Sequence, residues 1–208
     1  MSTDFTSRIQ DRSATVGVVG LGYVGLPLAL AYAGGKFKTV GFDIDDKKTS
    51  AINAGTSYIK HIPADSIATA IQSGNLAATT DFSQIREVDA IILCVPTPLD
   101  EHFEPDLSYV VSTIEAIVPH LRSGQTISLE STTYPGTTAE ELVTRIETAG
   151  LTVGTDVHVV YSPEREDPGN PEFAATNIPK VVGGHTPACL DAGVALYGSV
   201  FDQVVPVS

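Results

Sequence analysis

VGVVGLGYVG, residues 16–25, is a β-branched run that breaks into three glycines spaced Gly20-x-Gly22-x-x-Gly25. Val16, Val18 and Val19 read as a buried strand. The following "YVGLPLALAYAGG" reads as a helix, with Pro27 tolerated near its first turn and Gly34 and Gly35 ending it. A glycine loop between a strand and a helix has a specific physical use. The first glycine permits a tight turn, the second lets a pyrophosphate approach the backbone, and the third lets the helix pack close to the sheet. Unpaired N–H groups and the positive dipole end of the helix then face the phosphates. Gly20, Gly22 and Gly25, with Tyr23 and Val24 between them, are therefore the candidate cofactor cradle.

The next apolar segment, "KTVGFDID", supplies the matching acid. Asp43 stands at its end, where a carboxylate accepts hydrogen bonds from adenosine ribose hydroxyls and repels a 2′-phosphate. Ile44, Asp45 and Asp46 follow with no arginine among them, so the expected cofactor is NAD rather than NADP.

Outward from this unit the alternation continues. "DDKKTSAINAG" and "PADSIATAIQSGN" read as helices, "LAATTD" as a thin strand, and "VDAIILCVPTP" as an apolar run suited to a parallel strand covered on both faces. "DLSYVVSTIEAIVPHL" has helical periodicity, "GQTISLEST" is strand-like, and "GTTAEELVTRIETAG" is helical. "DVHVVYS" and "PKVVGG" read as strands, "TPACLDAGVALYGSV" as a helix and "DQVVPVS" as a closing strand. The expected fold is α/β: a Rossmann-like, doubly wound, mostly parallel sheet with helices on both faces. Residues 15–208 are assigned to that domain and residues 1–14 to a flexible N-terminal tail.

The formal charge of −13 argues against a nucleic-acid groove or an anionic membrane surface, both of which demand clustered lysine and arginine. Cys94 and Cys189 are far apart without CxxC spacing, and the polar N-terminus is no signal sequence, which points to a cytoplasmic protein without disulfides. The five histidines form no cluster, so no metal site is expected.

In an open parallel sheet, ligands bind beyond the carboxyl ends of the strands. Three unusual polar loops fall at such ends: "PTP" at 96–98, "ESTTYPGTT" at 130–138 and "SPEREDPG" at 162–169. Thr137 is also a candidate helix N-cap. Taken in order, "GLGYVGLPLA", "FDID", "VPTP", "ESTTYPGTT", "SPER" with its following "PG", and "NIPKVVGG" resemble the UDP-glucose/GDP-mannose dehydrogenase family of nucleotide-sugar 6-dehydrogenases. "ESTTYPGTT" and "SPEREDPGNP" look most like the branch acting on UDP-N-acetylglucosamine or its C2 epimer, with UDP-glucose as the alternative substrate.

The resemblance implies a two-step oxidation of a sugar C6 alcohol to a carboxylate with two NAD, passing through a thiohemiacetal and a thioester on a cysteine. It implies that Lys48 lies near the adenosine ribose and Thr97 by the cofactor, that Thr132 positions a catalytic water, and that Glu164 assists proton transfer and hydrolysis. Arg165 is carried over as a substrate contact, while Glu166 and Asp167 are assigned no role. A second glutamate, common in the family four positions after the first, is replaced here by Pro168. The family's connecting helix and second domain, with its lysine, asparagine and nucleophilic cysteine, have no counterpart in these residues. Cys94 reads as a small hydrophobe in a strand, and Cys189, near a helix start, lacks a surrounding glycine loop. Expected partners are a UDP-sugar and, through the missing region, further copies of the chain. On this reading the fragment alone is inactive; the alternative is a stand-alone NAD-binding or regulatory protein.

Overall fold

The computed structural model describes residues 2–99, 103–164 and 178–207, with the side chains of Ser2 and Thr3 left aside. Six strands run parallel: β1 (Thr15–Val19), β2 (Lys38–Phe42), β3 (Leu76–Thr79), β4 (Ala90–Leu93), β5 (Thr126–Leu129) and β6 (His158–Tyr161). With β7 (Lys180–Gly184) and β8 (Val204–Val207) the sheet has the order β3-β2-β1-β4-β5-β6-β7-β8. The order reverses between β1 and β4, which creates the crevice where doubly wound sheets bind ligands.

The apolar runs are continuous because both faces of the sheet are covered. Side-chain alternation sends Val16, Val18 and Ile92 into one core, packed with Leu26 and Tyr32 of α2 (Gly25–Gly34) and Leu196 of α7 (Pro187–Gly198). Val19, Ile91, Leu93 and Ile127 point the other way, into a core shared with Ile114 of α5 (Ser108–Ile117) and Ile146 of α6 (Thr144–Thr148). The smaller helices α3 (Asp46–Asn53) and α4 (Ala64–Gln72) carry Ile52 and Ile67 into the first core.

β7 pairs with β6 antiparallel, while β8 runs parallel to β7. The amino end of β7 thus lies at the rim where the first six strands end. This places Lys180, its first residue, beside the segments that leave β5 and β6.

Three details differ from the sequence reading. Residues 2–14, expected to belong to a flexible tail, are not loose: α1 (Ser2–Gln10) packs on α7, burying Phe5 and Ile9 at i, i+4. Arg8 fastens it further, pairing at 2.6 Å with Asp89, whose side chain is 2% exposed and also accepts from Arg122 at 2.8 Å. The helix over 107–121 stops at Ile117 and finishes as a 3-10 turn, Val118–His120, because Pro119 offers no N–H. Thr137 does not cap the helix after it; its hydroxyl donates instead to the Tyr134 carbonyl at 2.8 Å. Wide π-type turns at Thr138–Val143 then lead into α6.

Ile9→Ala should cost about 2 kcal/mol or more, since it opens a cavity under a docked helix. Chemical denaturation checks this, and an unchanged midpoint would return α1 to the status of a tail. Among the described residues no helix is long and apolar enough to cross a membrane.

Candidate functional site

Beyond the carboxyl ends of the strands lies a cleft of about 950 Å³. Its lining follows the strand order. Asp43, Ile44 and Lys48 stand at the β2 end, the glycine loop at β1, Cys94 to Thr97 at β4, Glu130 to Thr132 at β5, and Glu164 at β6. The volume lies at the upper end of the range for small-molecule and cofactor sites.

The three glycines divide the work as their chemistry demands. Gly20 has φ +90, and a Cβ on it would sit 2.6 Å from the Cys94 carbonyl oxygen. A Cβ on Gly25 would lie 1.9 Å from the carbonyl oxygen of Gly20, so only glycine lets α2 start this close to the turn. Gly22 is different: a Cβ there meets nothing within 4 Å. Its absence therefore leaves space over the loop rather than relieving a contact. No side chain caps the start of α2, where Val24 occupies the cap position. An uncapped helix N-terminus beside open space over a glycine is suited to a pyrophosphate.

Asp43 does more than the sequence suggests. Its Oδ2 accepts from the Leu21 N–H at 2.8 Å and from Lys48 Nζ at 3.0 Å, and its Oδ1 accepts from the Asp45 N–H at 3.0 Å. The carboxylate pins the glycine loop to the end of β2 before any ligand arrives. Tyr58 helps from the far side, donating its hydroxyl to the Leu21 carbonyl at 2.6 Å. Burial, with Asp43 and Asp45 nearby, pushes the Tyr58 pKa upward, so the phenol stays a donor. Phe82, Tyr109 and Ala116 add apolar wall at this end, which suits an adenine ring.

At the other end the loops are laced together. Thr97 donates to the Thr132 carbonyl at 2.8 Å, and Ser131 to the Val95 carbonyl at 2.6 Å. Thr132 is exposed on the cleft wall. Glu164 lies half-buried close by, its N–H on the Glu130 carbonyl at 3.3 Å. Arg165, like Glu166, Asp167 and Pro168, falls outside the described residues.

Beneath Glu164 is a cluster that the sequence reading missed. Lys180 is 4% exposed, and its Nζ reaches Glu130 at 2.6 Å and Glu164 at 3.1 Å. The ammonium also lies 5.5 Å from the Tyr197 ring centroid and 5.4 Å from that of Phe201, within cation–π range. Tyr197 donates to the second Glu130 oxygen at 2.5 Å, and the Ser128 hydroxyl stands 2.7 Å from the Tyr197 hydroxyl. Burial pushes Glu130 up to about 7, with Lys180 and the Tyr197 hydrogen bond opposing it. Burial alone would lower Lys180, but the two carboxylates outweigh it and raise its pKa. Two acids thus share one base in a nearly dry setting. The signal available in the sequence was a lone lysine opening the apolar run "KVVGG".

Neither cysteine is placed as a nucleophile. Cys94 reaches the cleft lining, but burial first, then Glu130, pushes its thiol well above the ordinary value. Cys189 is fully buried and accepts from the Val159 N–H at 3.2 Å and the Thr186 hydroxyl at 3.1 Å. Among the described residues no group of three or more His, Cys, Asp or Glu could hold a metal ion.

A doubly wound sheet whose switch-point cleft joins a glycine loop, an uncapped helix and a pinned acid defines a dinucleotide-binding domain. Residues 14–201 match the UDP-glucose/GDP-mannose dehydrogenase family, NAD binding domain, and the chain belongs to that family. It is 38% identical over 186 residues to a Pseudomonas aeruginosa UDP-N-acetyl-D-glucosamine 6-dehydrogenase, covering 89% of this chain and 43% of the relative. It is 36% identical over 192 residues to the Escherichia coli K12 UDP-N-acetyl-D-mannosamine dehydrogenase, covering 88% and 45%. Among solved structures, the NDP-N-acetyl-D-galactosaminuronic acid dehydrogenase of Methanosarcina mazei superposes with TM-score 0.87 at 30% identity, covering 98% of this chain and 46% of that one. The chain therefore spans less than half the length of these relatives.

Proposed function

We propose that this chain is the NAD-binding half of a nucleotide-sugar 6-dehydrogenase that oxidises the C6 alcohol of a UDP-N-acetylhexosamine to the uronic acid. The observation that carries the reading is the single cleft with two chemically different ends. One end offers the glycine loop and Asp43, and the other offers Thr132 and Glu164. The names of the Pseudomonas and Escherichia relatives support an acetamido sugar over UDP-glucose.

In this reading Gly20, Gly22, Tyr23, Val24 and Gly25 hold the pyrophosphate, while Asp43 and Lys48 meet the adenosine ribose. Thr97 and Thr132 flank the nicotinamide end. Bound NAD supplies the hydride acceptor, and two are consumed because an alcohol must lose two hydrides to become a carboxylate. Thr132 orients the water that the oxidation to the acid consumes, its hydroxyl being able to donate and accept on the exposed cleft wall. Glu164 is the carboxylate placed to take that water's proton. Arg165 is assigned to the sugar nucleotide on family resemblance alone. The residues that form the covalent intermediate in the family belong to a region with no counterpart in this chain.

Titrating NAD and NADP into the wild type and Asp43→Ala tests the cofactor half. The wild type should prefer NAD by at least tenfold, a carboxylate beside a 2′-phosphate being strongly unfavourable. Asp43→Ala should weaken NAD about tenfold and narrow the preference, because it unpins the loop and releases Lys48. Equal binding of NAD by both proteins would remove Asp43 from the site.

A further inference from the structure

We propose that Lys180 is a positioning residue, a buried ammonium that holds the Glu164 carboxylate in one orientation at the inner end of the cleft. The inference rests on the reading of Glu164 as the residue that accepts the proton of the attacking water.

The geometry assigns the role. Glu164 follows β6 at the point where the chain leaves the sheet. A glutamate side chain has three rotatable bonds, so a fixed neighbour narrows the orientations of its carboxylate. Lys180 comes from β7, held by the sheet on both sides through β6 and β8. Its ammonium is fixed from behind by Glu130 at 2.6 Å and by the Tyr197 and Phe201 rings, and one proton remains for Glu164 at 3.1 Å. Glu130 is fixed in turn by Tyr197 at 2.5 Å, from α7. The chain of contacts runs from rigid elements outward to the Glu164 carboxylate on the cleft lining.

A buried lysine beside two glutamates is a costly arrangement. If stability alone mattered, apolar residues of the same volume would serve as well or better. The antiparallel turn of β7 is what makes the arrangement possible, since it brings a strand's first residue to a rim otherwise made of strand ends. Among the described residues, the Asp43 carboxylate bonds to Leu21, Asp45 and Lys48, at the other end of the cleft from this cluster.

Side-chain NMR on this chain, labelled at lysine Nζ and at the glutamate methylenes, tests the assignment. In the wild type the Lys180 ammonium should give a slowly exchanging signal, and Glu164→Gln should shift it. The Glu164 Cγ methylene should be as ordered as the backbone around it. In Lys180→Met its order should fall clearly below the wild-type value, and Lys180→Arg should restore it. A purely structural lysine would lower the melting temperature on substitution but leave the motion of Glu164 unchanged. That outcome, or a Lys180 signal indifferent to Glu164→Gln, would overturn the proposal. Should Lys180→Met fail to fold, the order of the Glu164 methylene in Lys180→Gln decides instead. Loss of the cofactor reading shows separately, as a folded wild type that binds no NAD.

Discussion

Gly22→Ala and Gly25→Ala should both abolish NAD binding, by at least about a hundredfold, yet leave proteins of different stability. At Gly22 the added methyl meets nothing within 4 Å. The fold should accept it, and the melting temperature should stay within a degree or two of the wild type. The methyl occupies the space over the loop, where the cradle leaves room for phosphate oxygens. At Gly25 the methyl lands 1.9 Å from the Gly20 carbonyl oxygen, a backbone atom that cannot swing aside. Here α2 must back away from the turn, so stability should fall by about 1–3 kcal/mol, as overpacking does. Differential scanning calorimetry and a NAD titration on the same samples read both effects. Full NAD affinity in Gly22→Ala would mean that the phosphates do not pass over this loop.

The second large effect belongs to Glu130. Glu130→Ala should destabilise the chain by about 3–5 kcal/mol, because it leaves the Lys180 ammonium with one partner instead of two in a nearly closed site. The Tyr197 hydroxyl loses its acceptor as well. Glu130→Gln should cost less and reveal the linkage to pH. Burial favours the neutral acid in the folded state and pushes its pKa to about 7 from the ordinary 4.5. The folded state then holds more protons than the unfolded state between those values. The proton-linked part of Glu130's contribution to stability is complete below about pH 4.5 and is lost as the pH rises through about 7. The slope is at most one proton's worth, about 1.4 kcal/mol per pH unit. Exposed acids such as Asp11, Asp81 and Asp106, whose pKa values are lowered by hydrogen bonds, tilt the whole curve the other way at low pH. The observable is therefore the difference between wild type and Glu130→Gln across pH 4.5 to 7. A difference independent of pH would show that the fold does not raise the pKa of Glu130.

What the sequence made legible was local. The glycine loop, its flanking strand and helix, and Asp43 lie within one βαβ unit, where spacing and periodicity carry the information. The apolar runs gave the strands because a sheet covered on both faces leaves no polar register to confuse them. The Glu130–Lys180–Tyr197 cluster was opaque for the opposite reason. Its members come from the end of β5, the start of β7 and the last turn of α7, and only the antiparallel entry of β7 brings them together. A lysine heading an apolar strand was a hint that a buried charge needed partners, but nothing local said which. The N-terminal helix was hidden by composition: Phe5 and Ile9 are a correct i, i+4 pair, but the polar residues around them read as a tail. Asp43 was found for its ligand chemistry, while its structural duty, holding the Leu21 N–H, depends on side-chain direction that spacing does not convey.

The most direct test of the cofactor cleft is a structure of this chain determined with NAD bound. The pyrophosphate should lie over Gly22 at the start of α2, the adenosine ribose against Asp43, and the nicotinamide between Thr97, Thr132 and Glu164. NAD bound elsewhere, or reversed so that the adenine sits beside Glu164, would contradict the assignment of both ends of the cleft.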